Sequence, residues 1–192
     1  MKKLLGLLII FFISLSSLQA QQTVFGIKAG YNSSSIEVDN GSDYDSKSGL
    51  HVGGLAHIHV SKHFAVQPEL VFSCQGGERP NSKLKLSYIN LPILAQYMVS
   101  NGLRLQTGPQ VGFLVAAEQK VGDISFDVDD AYDNIDLSWV IGGGYLFSSG
   151  IGIDLRYNIG VSDIIDGGNT DAMNRVLQLG LFYQFKNNGK RK

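Results

Sequence analysis

The stretch that decides the fold is LKLSYINLPILAQYMV (84–99), followed by SNG (100–102) and LRLQTGPQVGFLVAAE (103–118). On the first arm Ile89, Leu91, Ile93, Ala95, Tyr97 and Val99 share one parity, and Tyr88, Asn90, Pro92, Leu94, Gln96 and Met98 the other. On the return arm Leu103, Leu105, Thr107, Pro109, Val111, Phe113 and Val115 oppose Arg104, Gln106, Gly108, Gln110, Gly112 and Leu114. Successive side chains of a strand point to opposite faces, so a period of two held this long means β-strand. Asn101-Gly102 between two such runs is a hairpin signal, because both residues tolerate positive φ. Arms of about 12 residues or more exceed the ~5–6 of a soluble strand. They match the ~9–11 that a tilted strand needs to cross a bilayer.

Working outward, the same alternation predicts strands over 23–34, 49–60 and 64–75 before the hairpin, and over 135–147, 151–161 and 174–185 after it. On the first of these Phe25, Ile27, Ala29 and Tyr31 oppose Val24, Gly26, Lys28, Gly30 and Asn32. The expected fold class is all-β, an eight-stranded antiparallel up-and-down transmembrane β-barrel. Its connections alternate long and short. The short ones are Ser61–His63, 100–102 and Ser148–Gly150. The long ones are 35–48, 76–82, 119–134 and 162–173. Outer-membrane barrels show this pattern, with short periplasmic turns and longer external loops. Tyr, Phe and Trp near the strand ends match an interfacial girdle. A soluble lipocalin-like barrel is the alternative architecture, with the facing of every strand reversed.

The N-terminus reads as a targeting segment. Lys2-Lys3 precede an apolar run from Leu4 to Leu15, and Ser16–Ala20 offers a cleavage site after Ala20. The expected organisation is a signal peptide over 1–20, a barrel over 21–185 and a short basic tail over 186–192. The net charge is −1, and loss of Lys2 and Lys3 leaves 14 basic against 17 acidic residues. Without a basic stripe, nucleic acid is not an expected partner. The single cysteine, Cys74, excludes an intramolecular disulfide framework, and its apolar parity makes it a packing or lipid-facing thiol.

Six stretches carry a family resemblance: FGIKAGYN (25–32), QPELVFSCQG (67–76), LSYINLPILAQY (86–97), LQTGPQVGFL (105–114), IDLRYNIGVSDI (153–164) and LQLGLFYQF (177–185). Together they resemble the PorT-like outer-membrane β-barrels of Bacteroidetes over the mature chain. The resemblance implies an eight-stranded barrel in the cell outer membrane. The family takes its name from a member linked to type IX secretion, while most of its relatives have no assigned task.

The candidate site is a lumen polar network of Lys28, Glu69, Arg104, Asp154 and Arg156, with Gln67, Gln106 and Gln178 around it. An eight-stranded barrel is barely wide enough for its own side chains, and buried charges there need partners. The expectation is a polar plug in which Glu69 pairs with Arg104 or Arg156. His51, His57 and His59 share one parity with His63 in the following turn. They read as surface or rim histidines, with His57 and His59 at the periplasmic rim. Asp123, Asp127, Asp129, Asp130, Asp133 and Asp136 read as a solvated acidic loop without the Gly and Glu positions of an EF-hand. GxSxG, HExxH and Walker patterns are absent from the sequence. No catalytic residue, metal ligand or cofactor is expected.

The functional expectation is a small, monomeric outer-membrane barrel with a structural or interaction role. It presents external loops and is an accessory to secretion or envelope assembly. The alternatives are a lipid-modifying enzyme, a narrow channel and a soluble lipocalin-like carrier. Expected partners are outer-membrane lipid, the barrel-assembly machinery during insertion and an unidentified envelope protein. The terminal Tyr183-Gln184-Phe185 resembles a barrel-assembly signal.

Overall fold

The computed structural model describes residues 23–39, 42–99, 101–165 and 172–185. The expected signal peptide, the basic tail and Ser100 lie outside the described residues. The strands are β1 (Thr23–Val38), β2 (Tyr44–His59), β3 (Phe64–Arg79), β4 (Ser82–Met98), β5 (Leu103–Val121), β6 (Ile124–Asp127), β7 (Ile135–Leu146), β8 (Ile151–Gly160) and β9 (Ala172–Gln184). Every pairing is antiparallel. The sheet closes because β4 pairs with β5 while β1 pairs with β9 from Gly26↔Gln184 to Val38↔Ala172. The ring is a closed eight-stranded barrel, and β6 stands outside it as a short strand paired with β5. Closure gives every strand of the ring two neighbours, which is what a sheet in hydrocarbon requires.

The parity of the hairpin decides which face meets lipid. Outward positions are large and apolar, with Phe25 64%, Leu50 67%, Leu179 58% and Leu181 61% exposed in the isolated chain. Inward positions are polar and buried, including Lys28, Gln67, Glu69, Gln106, Asp154 and Arg156. A lipocalin-like carrier would have the opposite facing. Two polar side chains on the lipid side, Trp139 and Thr107, find partners. The Trp139 indole N–H donates to Thr107 Oγ1 at 2.9 Å, and that hydroxyl donates to the Val140 carbonyl at 3.0 Å.

Three short connections sit at one end. The Val99–Gly102 turn is closed by Gly102 N–H to Val99 C=O at 3.1 Å, with Gly102 at φ 99°. Phe147–Gly150 repeats it, with Gly150 at φ 94°. Positive φ costs glycine little, so each turn ends on one. Aromatic residues ring this end: Phe64 lies 5.1 Å from Tyr97, Tyr145 4.9 Å from Phe147, and Tyr183 5.5 Å from Phe185, ring centre to ring centre. The short-turn end of such barrels faces the periplasm. Prolines interrupt the ladders nearby. The β3–β4 pairing skips from Pro68↔Ile93 to Val71↔Asn90, and β4–β5 skips from Pro92↔Gln110 to Ala95↔Thr107, because proline has no N–H to donate.

The other end departs from expectation. Two stretches read as long loops are mostly strand and a third is strand in part: β1 and β2 run on to Val38 and back from Tyr44, β3 and β4 meet at Pro80-Asn81, and β5 reaches Val121. The acidic stretch is likewise structured, forming β6 and a 3-10 turn at Asp129–Ala131. Its carboxylates hold backbone: Asp129 accepts from the Ala117 N–H, and Asp127 Oδ1 accepts from the Asp129 N–H at 3.1 Å. The irregularities at Ser34/Ile36 and Ser87/Tyr88 each put one extra residue on the partner strand, β2 and β5 respectively. β1 and β4 keep a single inward parity to their outer ends, so Ile36, Leu84 and Leu86 point inward and pack with Tyr88, Ala117, Ile164 and Ala172 in a buried apolar cluster. The barrel thus continues past the lipid band as an external extension with its own small core.

Candidate functional site

The lumen is built in layers. At mid-height Lys28 on β1, Glu69 on β3 and Asp154 and Arg156 on β8 meet on the barrel axis. In the ring β3 and β8 are four strands apart in either direction, so a contact between them spans the diameter. Arg156 makes that contact as a fork: Nη1 donates to Glu69 Oε2 and Nη2 to Oε1, both at 2.8 Å. Planar guanidinium against planar carboxylate is the strongest geometry available to such a pair. Arg156 Nη2 also lies 2.8 Å from Asp154 Oδ2. Lys28 Nζ lies 3.3 Å from both Glu69 Oε2 and Asp154 Oδ2. Gln67 Nε2 adds a donor to Glu69 Oε1 at 2.6 Å. Two cations face two carboxylates, so the cluster is neutral.

Four of the five residues expected in the lumen network are therefore joined. The fifth, Arg104, is buried in the lumen nearer the periplasmic turns. It donates weakly to Gln184 Oε1 at 3.4 Å and does not pair with Glu69. Both Glu69 oxygens are already taken by Arg156, so of the two expected partners the structure selects Arg156.

The histidines require a correction. His51 and His57 are 2% and 0% exposed inside the lumen, not at the rim. They share the inward parity of β2, and polar rings replace the larger apolar groups that would fill a soluble core. His51 Nδ1 meets Asn32 Oδ1 at 2.8 Å, and His57 Nδ1 meets Gln67 Oε1 at 3.2 Å. No group of three His, Cys, Asp or Glu side chains among the described residues is arranged to hold a metal.

Glycine makes room for the plug. A Cβ at position 180 would come within 2.4 Å of Asp154 Oδ1 and 3.3 Å of His51 Nε2. At position 30 it would lie 2.7 Å from His51 Cε1. Above the central cluster sits a second polar layer. Gln110 Nε2 donates to Ser138 Oγ at 2.9 Å, and Asn174 Nδ2 donates to Asp136 Oδ2 at 2.9 Å. Above that lies the apolar cap of the external extension. Tyr132 packs against this cap, and burial pushes its phenol up to about 12, so it stays neutral.

A family model described as an outer membrane protein beta-barrel domain matches residues 19–166. The chain belongs to that family. Neisserial surface protein A shares the fold with a TM-score of 0.62 at 13% identity, over 84% of this chain and 97% of that one. Ail, the attachment invasion locus protein of Yersinia pestis, follows with a TM-score of 0.56 at 16% identity, over 85% of this chain and 99% of its own. Ail in complex with the heparin analogue sucrose octasulfate gives 0.54 at 16% identity, over the same 85% and 99%. At these identities the likeness speaks for the fold. No curated protein matches. Family and fold together place the protein in the outer membrane as a small β-barrel.

The external surface was less legible in the sequence. Arg79, Lys83, Lys85 and Lys120 line one groove on the extension. Glu78 and Glu118 partly neutralise it, through Lys83 at 3.2 Å and Lys85 at 3.6 Å. The sequence pattern puts these residues on the two hairpin arms and in two loops, and their meeting depends on the β3–β4–β5 register of the extension.

Proposed function

We propose that this barrel neither conducts nor catalyses, and that its task is to present the external extension to another component of the envelope. The observation that carries this reading is the Arg156–Glu69 fork across the diameter, which closes the lumen with a neutral ion-paired plug. Catalysis on the external side would need a base beside a nucleophile. All four histidines lie between positions 51 and 63, in the lumen or at the periplasmic end. The resemblance to PorT-like barrels supports secretion or envelope assembly in Bacteroidetes as the setting. Export by a signal peptide over 1–20, insertion by the barrel-assembly machinery and a monomeric state in outer-membrane lipid belong to the same reading.

Planar-bilayer recording of the purified protein tests it. Silence across the voltage range is the expected result, and steady single-channel currents would overturn it. A photo-crosslinker at Ile124 on the extension should capture a specific envelope protein in intact cells, while one at lipid-facing Leu179 should not.

The basic groove favours a second reading, in which the extension binds a sulfated or phosphorylated glycan, as Ail does in its complex with sucrose octasulfate. Retention on immobilised heparin that falls in the Lys83→Ser/Lys120→Ser double variant would support it. Equal elution of both forms would dismiss it.

A further inference from the structure

Among the described residues the buried charges are four cations, Lys28, Lys47, Arg104 and Arg156, against three carboxylates, Glu69, Asp136 and Asp154. The central cluster is neutral by itself. Lys47 and Asp136 belong to the external half, where Lys47 Nζ donates to the Gln75 carbonyl at 3.1 Å and Asp136 accepts from Asn174. Arg104 is left over. It is 7% exposed, and no carboxylate among the described residues comes within ion-pair distance of it. Among the described residues its one side-chain hydrogen bond is the 3.4 Å contact to Gln184 Oε1, and the Phe182 ring 6.0 Å away is a weak substitute for a counter-charge. Among the described residues its Nη1 has no hydrogen-bond partner, and neither does Gln184 Nε2 on the amide it touches.

A guanidinium cannot shed its charge at any physiological pH, and a buried charge without a counter-ion costs several kcal/mol. Two unused donors on adjoining side chains therefore sit beside an uncompensated positive charge. Arg104 is the second residue of β5, one step past the periplasmic turn, so the position is reached from the periplasmic mouth. We propose that Arg104 Nη1 and Gln184 Nε2 form a binding site for one small monovalent anion of chloride size, entering from the periplasmic side. The anion would neutralise the last lumen charge and complete the plug.

The test is the heat-modifiability midpoint of the full-length protein in detergent micelles, titrated with potassium chloride against potassium gluconate at constant ionic strength. A bound anion stabilises the folded state by mass action. The wild-type midpoint should rise saturably, by roughly 3–6 °C at about tenfold above Kd. Arg104→Gln should give a flat titration, and Arg104→Lys, which keeps the charge, should retain a weaker dependence. If Arg104→Gln does not fold, crystals of the wild type grown in bromide decide the matter. An anomalous peak beside Arg104 Nη1 supports the site, and its absence overturns it. Identical midpoints of the wild type in both salts, or a chloride response unchanged in Arg104→Gln, also overturn it.

Discussion

At the residue scale the plug rests on Glu69. Its two oxygens receive Arg156, Lys28 and Gln67, and removing it leaves two cations facing the single carboxylate of Asp154 in a lumen that cannot solvate the excess charge. Breaking one side of a buried pair costs about 3–5 kcal/mol, much more than the net worth of the pair. Glu69→Ala is expected to lower the unfolding midpoint of the unboiled gel form by roughly 6–20 °C. A shift under ~2 °C would mean that water replaces the carboxylate and the plug is wet. Gly180 offers the complementary case. Gly180→Ala adds a single methyl 2.4 Å from Asp154 Oδ1, and overpacking of that kind costs about 1–3 kcal/mol. The same assay should show a smaller loss than Glu69→Ala, and an unchanged midpoint would mean that Asp154 can swing away without leaving Arg156. Thr107→Val removes the acceptor of the Trp139 N–H where lipid offers no replacement. It should cost about 1–2 kcal/mol, read as a lower midpoint and a shifted tryptophan emission.

At the element scale the strands divide into a lipid-crossing part and an external part. On β9 the outward Leu177, Leu179 and Leu181 give way to Arg175, which pairs with Glu37 of β1 at 2.8 Å. That pair marks where the strands leave hydrocarbon, and Ile124 lies well beyond on β6. Leu179→Arg should cost about 2–4 kcal/mol, as arginine does at mid-bilayer, and reduce the folded yield in membranes. Ile124→Arg should leave it unchanged. Equal losses at both sites would put the extension in lipid. The lipid-crossing parts were legible because the outward residues are apolar and the inward ones polar, a period-two contrast that needs no other knowledge. The extension was not. Segment 35–48 is rich in Asp, Ser and Gly, so its composition reads as loop, yet a ladder needs only backbone N–H and C=O groups and a neighbour at the right register. Ile36, Leu84 and Leu86 continue the inward parity of β1 and β4 and carried the signal, but the extra residues in the partner strands β2 and β5 shift parity there and break the pattern. His51 and His57 share the inward face of β2 that their parity indicates, and they are buried rather than at the rim, because one sequence does not show how far the opposing strands enclose that face.

At the scale of the whole molecule, the ion-paired layer and the apolar cap divide one continuous barrel into a membrane anchor and an external body. The ring closes through long-range pairings, β1 with β9 above all, so the extension inherits the rigidity of the barrel and needs no loop to fold on its own. Sidedness then follows from the turns: short connections face the periplasm, and the β5–β6 hairpin faces outward. Two single-cysteine proteins test this, both built on Cys74→Ser so that no native thiol reports. Asp123→Cys places a thiol at the exposed tip of the β5–β6 hairpin, and Lys62→Cys places one in the exposed Ser61–His63 turn. A membrane-impermeant maleimide added to intact cells should label Asp123→Cys and spare Lys62→Cys, and permeabilising the outer membrane should make both react. The reverse pattern would invert the barrel and place the basic groove in the periplasm. The partners of the extension would then have to be sought on that side.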